Sequence, residues 1–209
     1  VIKLPHLGVV PSYEIDNVVD YQAAKLKPES GEASPSGVDL QPPPAGSCDL
    51  VKVDTPAEQI VFFKNPRAVI SEAYRTIRTG LYFSNRGKAL KVIQVTSPVP
   101  GDGKSTLSGN LAVTMAQSGR RVLLIDADLR RPRVAKIFGL NSDIGVAAVV
   151  SGKAEIDDAI LAGPVPNLSI LPGGKRPTNP AEILSSERFK NMVDMLREKY
   201  DVIIIDTPP

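Results

Sequence analysis

Gly103, Lys104 and Ser105 are the residues whose types and spacing best fit a chemical task, the binding of phosphate. They follow an apolar, strand-like run and a loop rich in proline and glycine, in the stretch 92–106, VIQVTSPVPGDGKST. A loop that joins a strand to a helix leaves several backbone N–H groups unpaired at the positive end of the helix dipole. Lys104 adds a mobile charge for the outer phosphates, and the Ser105 hydroxyl is placed to ligate a magnesium ion that bridges them. The sequence therefore predicts a phosphate-binding loop.

This loop departs at one position from the strict pattern G-x-x-x-x-G-K-[ST], because Pro98 stands where the first glycine is expected. The Gly-Lys-Ser-Thr end and its setting between a strand and a helix carry the prediction instead. The residues predicted to bind the nucleotide phosphates are Pro100, Gly101, Asp102, Gly103, Lys104, Ser105 and Thr106.

Aspartates stand at the carboxyl ends of two apolar runs further along the chain. Residues 121–126, RVLLID, lead into Asp128, and residues 201–206, DVIIID, end on Asp206. Open α/β sheets place their ligand chemistry at the carboxyl ends of strands, so we expect Asp126 and Asp128 to be functional. An aspartate that ends an apolar strand downstream of a phosphate loop is a usual second anchor for magnesium, and this predicts that role for Asp206.

The elements that must position these residues alternate between strands and helices. The predicted strands are an apolar run from Val92 and the runs 121–126, 167–171 and 201–206, and the predicted helices include 105–117 and 186–199. Such alternation favours a mostly parallel sheet joined by right-handed crossovers. The predicted fold class is therefore α/β, of the P-loop NTPase type, with helices flanking the sheet.

The 209 residues divide by composition into three predicted parts. Residues 1–26 form a short N-terminal segment, which the family resemblance described below implies is membrane-proximal, residues 27–58 a disordered linker rich in proline, glycine and serine, and residues 59–209 the P-loop domain. The first residue is Val1, and the last predicted strand ends shortly before Pro209. We therefore expect a piece of a longer protein whose domain is truncated at its C-terminus.

Overall composition excludes several classes of protein. The net charge is only +2, which argues against a strongly electrostatic nucleic-acid binder. Cys48 is the single cysteine, so neither an internal disulfide framework nor a cysteine zinc site is possible. No apolar run approaches the roughly 18 residues of a membrane span, and we expect this part of the protein to be soluble.

A stripe of charge marks the helix predicted after residue 66. Glu72, Arg75 and Arg78 are spaced by three residues, which places them on one helical face. Taken alone, this pattern indicates a solvated face with one intrahelical ion pair.

Together these segments resemble the bacterial tyrosine kinases, or BY-kinases. SPVPGDGKST, LLIDADLR and VIIIDTPP are similar to the Walker A, Walker A′ and Walker B motifs of that family, in its order and approximate spacing. The Glu72, Arg75 and Arg78 stripe resembles the E-x-x-R-x-x-R helix that assembles family members into rings, and NPAEILSSERF is typical of the family. The resemblance covers about residues 66–209. A second Asp-x-Asp motif is not a feature of ordinary P-loop ATPases, which makes the combination specific.

The resemblance implies an activity, a set of cofactors and roles for the site residues. It implies transfer of the γ-phosphoryl group of Mg-ATP to tyrosine hydroxyls on neighbouring copies, by a non-specific protein-tyrosine kinase. Lys104 would neutralise charge on the transferred group, and the metal ligands would be Ser105, Asp128 and Asp206. Asp126 would be the base for the tyrosine hydroxyl. Thr106 would contact the α-phosphate, and Arg130 would either steady the metal-site carboxylates or meet a neighbouring subunit. The adjacent Arg131 and Arg133 indicate a solvated basic turn.

Partners and location follow from the resemblance as well. LPHLGVVP near the start resembles the cytoplasmic segment after the last membrane helix of polysaccharide co-polymerase proteins. This implies a role in capsule or exopolysaccharide synthesis and export, at the cytoplasmic face of the inner membrane in a parent protein that spans it. The implied partners are other copies in a ring, the transmembrane portion and tyrosine-containing substrates, and no nucleic acid. The family's tyrosine-rich C-terminal tail is not part of this chain.

Two alternatives remain open at the level of sequence. One is a switch ATPase of the ParA/MinD type, which shares the fold and hydrolyses ATP to change partners. Those proteins carry a signature lysine five residues before the lysine of the phosphate loop, where this chain has Val99. The other is a regulator that binds nucleotide without kinase activity.

Overall fold

The computed structural model describes residues 17–20, 60, 69–84 and 90–209. The predicted linker at 27–58 and the LPHLGVVP segment lie outside the described residues. The predicted boundaries between the three parts therefore stay a prediction.

A six-stranded sheet forms the centre of the described structure. Its order is β1-β2-β6-β3-β5-β4, and all neighbouring pairs are parallel except β4 with β5. The strands are β1 (Asn17–Asp20), β2 (Val92–Thr96), β3 (Val122–Asp126), β4 (Leu161–Ala162), β5 (Leu168–Leu171) and β6 (Val202–Asp206). The mostly parallel sheet predicted from the alternating pattern is confirmed.

Seven helices flank the sheet within the described residues. They are α1 (Val69–Ser84), α2 (Lys104–Ala116), α3 (Val134–Ile137), α4 (Val146–Val150), α5 (Ile156–Ala159), α6 (Pro180–Leu184) and α7 (Glu187–Lys199). None of them is long and apolar enough to cross a membrane.

Apolar side chains cover both faces of the sheet. β3 and β6 are buried along their whole length, as continuous apolar runs in a parallel sheet should be. On one face the core includes Leu111 of α2 and Tyr74 of α1, and on the other it includes Phe189 of α7. The parallel pairing of β6 with both β2 and β3 places the carboxyl ends of these three strands side by side at one edge of the sheet.

Candidate functional site

The loop between β2 and α2 has the backbone shape of a phosphate cradle. Gly101 and Gly103 adopt left-handed conformations, with φ of 91° and 89°, which residues with a side chain rarely adopt. Gly103 is the N-cap of α2, and no side chain there satisfies the first amides of the helix. Because α2 has 13 residues, these amides lie at the positive end of a full helix dipole, a suitable place for phosphate.

Lys104 is the first residue of α2 and is paired with Asp128. The Nζ to Oδ2 distance is 3.2 Å, and each side chain is only 8% exposed. Asp128 lies just after β3, so this ion pair joins the phosphate loop to the carboxyl end of β3. A bound nucleotide would offer the ammonium group a competing anion at the same place.

Asp126, the last residue of β3, is fully buried and held by backbone amides. Its Oδ2 accepts from the N–H groups of Arg133 and Val134, both at 2.9 Å, and its Oδ1 accepts from that of Asp128 at 3.2 Å. The side chain therefore fixes the turn that follows β3.

Asp206 ends β6 and lies next to Asp126 in the strand register. Its Oδ1 is 3.3 Å from the Ser108 hydroxyl of α2, whereas its Oδ2 is buried without a hydrogen-bond partner among the described residues. A buried carboxylate oxygen without a partner is costly unless a cation or water meets it. Ser105, at the start of α2, lies near this group and lowers its pKa. Oxygen donors of this kind fit a magnesium ion.

Burial changes the acidity of two of these carboxyl groups. It raises the pKa of Asp126 to about 7, and the charge of Asp206 adds to the increase while the amides of Val134 and Arg133 oppose it. Burial also raises the pKa of Asp206 to about 6, against the opposing effects of Ser105 and Lys104. The ionised forms of both groups are therefore disfavoured unless a cation lies nearby.

An open cavity lies over the phosphate loop, and most of the predicted phosphate-binding residues line it. Its lining includes six of the seven predicted phosphate-binding residues, whereas Asp102, Asp126 and Asp206 lie outside the lining. Arg131 and Arg133 are exposed, as expected for a solvated turn, and they also line the rim of the cavity. The lining residues are Pro100, Gly101, Gly103, Lys104, Ser105, Thr106, Asp128, Arg131, Arg133 and Ile137.

The charged stripe of α1 divides into two parts. Glu72 and Arg75 form an ion pair on the exposed side of the helix. Arg78 instead donates from Nη1 to the carbonyl oxygen of Thr114, at 3.1 Å, near the C-terminus of α2. Arg78 thus joins α1 to the helix of the phosphate loop in the same chain, and the self-association role of the stripe stays a prediction.

A phosphate loop between a strand and a helix, with aspartates at the ends of two neighbouring parallel strands, defines a P-loop nucleotide-binding protein. A family model described as an AAA domain matches residues 90–209. The kinase domain of Escherichia coli tyrosine kinase ETK has a similar fold, with a TM-score of 0.70, 32% identity, and coverage of 74% of this chain and 61% of that one. The BceF tyrosine kinase domain matches with a TM-score of 0.66, 40% identity, and coverage of 72% of this chain and 60% of that one.

Curated relatives give the same result. Tyrosine-protein kinase YwqD of Bacillus subtilis is 42% identical over 150 residues, which are 72% of this chain and 63% of the relative. Tyrosine-protein kinase ptk of Acinetobacter johnsonii is 41% identical over 150 residues, 72% of this chain and 20% of the relative. The chain belongs to the AAA-domain family and, among its members, to the bacterial tyrosine kinases, which confirms the resemblance. It spans less than two thirds of the length of these two curated relatives.

Proposed function

We propose that this chain is the catalytic part of an ATP-dependent protein-tyrosine kinase that phosphorylates tyrosines on neighbouring copies of itself. One observation carries the proposal. Beside the phosphate loop, Asp128 is paired with Lys104, and Asp126 is the register partner of Asp206 on the neighbouring strand. A nucleotide switch needs the phosphate loop and one metal-binding aspartate, whereas transfer to a hydroxyl group needs a further carboxylate near the acceptor.

The residues around the loop suit Mg-ATP. The left-handed backbone at Gly101 and Gly103 and the first amides of α2 would hold the phosphates, and Thr106 lines the same cavity. Ser105 and the buried Oδ2 of Asp206 would hold magnesium. When bound, the metal neutralises phosphate charge.

Lys104 can pair either with Asp128 or with the outer phosphates of the nucleotide. In this structure it neutralises Asp128 at 3.2 Å. If Lys104 turns towards the outer phosphates, it stabilises charge on the transferred group and frees the Asp128 carboxylate. The same movement of Lys104 would stabilise charge on the phosphoryl group and leave the Asp128 carboxylate beside it free to accept a proton.

The two aspartates at the end of β3, Asp126 and Asp128, differ in their access to the cavity. The sequence resemblance implied Asp126 as the base and Asp128 as a metal ligand. Asp128 lines the cavity, whereas Asp126 is fully buried and accepts three backbone N–H groups. On this geometry we assign Asp128 to contact with the reacting groups, where it can accept the tyrosine proton. Asp126 holds the turn that positions Asp128.

The cellular role and the location that we assign to this chain are those implied by the family. We assign the chain to regulation of capsule or exopolysaccharide synthesis, at the cytoplasmic face of the inner membrane in a parent protein that spans it. The exposed Glu72 and Arg75 pair of α1 supports a face for ring assembly. Arg78 would support that face indirectly, by holding α1 against α2.

The test compares the full-length protein with its Lys104→Met variant after incubation with Mg-ATP. We expect phosphotyrosine in the first and none in the second by mass spectrometry, because Lys104 is the mobile cation of the site. Thermal unfolding of both proteins checks that the variant is folded.

Two outcomes would contradict the proposed kinase function, and a third would contradict only the role of Lys104. Hydrolysis of ATP without phosphotyrosine would indicate a switch ATPase, and nucleotide binding without either product would indicate a regulator. Equal phosphotyrosine in the two proteins would remove Lys104 from the mechanism.

A further inference from the structure

We infer that the Arg131-Pro132-Arg133 turn, named here the arginine turn, is the docking surface for acidic residues beside the acceptor tyrosine. The inference rests on the proposed kinase function and adds a substrate class to it. The substrate segments would carry aspartate or glutamate next to the tyrosine.

The arginine turn lies at the cavity in which the acceptor must meet the nucleotide. Arg131 and Arg133 line this cavity together with Lys104 and Asp128. Both arginines are exposed, whereas Lys104 and Asp128 are buried deeper in the cavity. A segment that inserts a tyrosine towards Asp128 from solvent would therefore pass the two guanidinium groups.

The backbone of the turn is bonded to the carboxylates of the site. The N–H of Arg131 donates to Asp128 Oδ1 at 3.1 Å, and the N–H of Arg133 donates to Asp126 Oδ2 at 2.9 Å. The two arginines thus begin from backbone positions that are fixed relative to the carboxylate that faces the acceptor.

A second loop packs against the middle of the turn. A Cβ atom on Gly173 would lie 2.9 Å from the Cβ of Pro132, closer than side-chain carbons normally approach. Gly173 follows β5, so the turn is held between the ends of two strands. A surface that is fixed before binding loses little conformational entropy when a partner docks.

The charge of the arginine turn is not neutralised within the described part of the chain. Neither Arg131 nor Arg133 has an ion pair there, whereas other exposed bases do, such as Lys175 with Asp143 at 3.0 Å. The nucleotide phosphates already have the loop amides and Lys104 as donors. The guanidinium groups remain available for carboxylates of the substrate, which they can bind with two parallel hydrogen bonds.

The experiment measures kcat/KM of the full-length protein for three peptides that each contain one tyrosine. The tyrosine is flanked by glutamates in the first, by glutamines in the second and by lysines in the third. The variants are Arg131→Glu/Arg133→Glu and, as a matched control, Lys136→Glu. Lys136 is an exposed base one turn further on, in α3, and does not line the cavity.

We expect the unmodified protein and the Lys136→Glu control to prefer the glutamate peptide over the glutamine peptide by about tenfold, with a smaller preference at high salt. The double variant should lose this preference and favour the lysine peptide, with the KM for ATP unchanged. A new preference cannot result from misfolding, since misfolding only lowers activity.

Three results would overturn the inference. Transfer to all three peptides at equal rates would remove the charge preference while the kinase function stands. A raised KM for ATP in the double variant, with the peptide preference intact, would assign the arginines to the nucleotide. Absence of phosphotyrosine on every peptide and on the protein itself would remove the proposed function and the inference with it.

Discussion

β3 and β6 are neighbouring strands, and the charged residues at their starts behave differently from the aspartates at their finishes. At their start, Arg121 before β3 binds Asp201 before β6 through Nη2 to Oδ1 at 2.8 Å, and these side chains are 58% and 28% exposed. At their finish, Asp126 and Asp206 are register partners with 0% exposure. The aspartate at the start of β6 is partly exposed and paired with an arginine, whereas the aspartates at the finish of both strands are buried.

This difference sets the chemistry of each edge. The hydrogen bond from Arg121 lowers the pKa of Asp201 to about 2, so that carboxylate is ionised at neutral pH and ties two chain segments together. Burial raises the pKa of Asp126 to about 7 and that of Asp206 to about 6. The buried edge carries carboxyl groups whose negative charge a bound cation would neutralise. At the exposed edge, Arg121 already neutralises Asp201.

The pH dependence of stability should differ between the two edges, because the pKa values of their carboxyl groups are shifted in opposite directions. Because the pKa values of Asp126 and Asp206 are raised on folding, the metal-free folded state binds more protons than the unfolded state between about pH 4 and 7. The free energy of unfolding should therefore fall across this range as pH rises, by on the order of a few kcal/mol. Urea denaturation in a chelator at pH 5 and pH 8 measures the change.

Two variants separate the edges in this experiment. Asp126→Asn should reduce the pH dependence, because it removes the group whose pKa is raised furthest. Asp201→Asn should leave it unchanged above pH 5, because the pKa of Asp201 is lowered and its contribution is lost only as pH falls towards 2. An unaltered slope in Asp126→Asn would contradict the burial argument.

Ser108 of α2 contacts the Asp206 carboxylate at the buried edge. It is fully buried, and its hydroxyl lies 3.3 Å from Asp206 Oδ1 and 2.8 Å from the carbonyl oxygen of Lys104. Ser108→Ala keeps the shape of α2 and removes the group that orients Asp206. We expect roughly tenfold more Mg²⁺ to be needed for binding of a fluorescent ADP analogue, as for other residues that orient metal ligands.

The controls for Ser108→Ala distinguish orientation from general damage. Binding of the analogue without metal should be unchanged, and Ser108→Thr should restore much of the Mg²⁺ response. If the Mg²⁺ requirement of Ser108→Ala equals that of the unmodified protein, Ser108 does not position Asp206.

Much of the fold could be predicted because its signals are local. The apolar runs before Asp126 and Asp206 are long enough only for buried strands, and the predicted helix 105–117 is observed at Lys104–Ala116. The two-residue strand β4 was not predicted, since it exists only through its antiparallel pairing with β5.

The arrangement of the candidate site depended on contacts that sequence does not encode locally. Nothing in the spacing indicates that the amides of Arg133 and Val134 enclose Asp126, or that Arg78 donates to Thr114 of α2. The arginine turn at the cavity rim follows from the packing of Gly173 against Pro132, which joins residues 41 positions apart. The resemblance supplied the candidate residues, and tertiary contacts decide which of them reach the cavity.

The most direct test makes the same substitution at the two ends of β6, in Asp206→Asn and Asp201→Asn, and measures the initial rate of phosphotyrosine formation in the full-length protein. If the buried edge carries the chemistry, Asp206→Asn lowers the rate by about 10³-fold, since it removes a proposed metal ligand, and Asp201→Asn keeps it within about twofold. Comparable rates in the two variants would contradict this assignment of the buried strand ends.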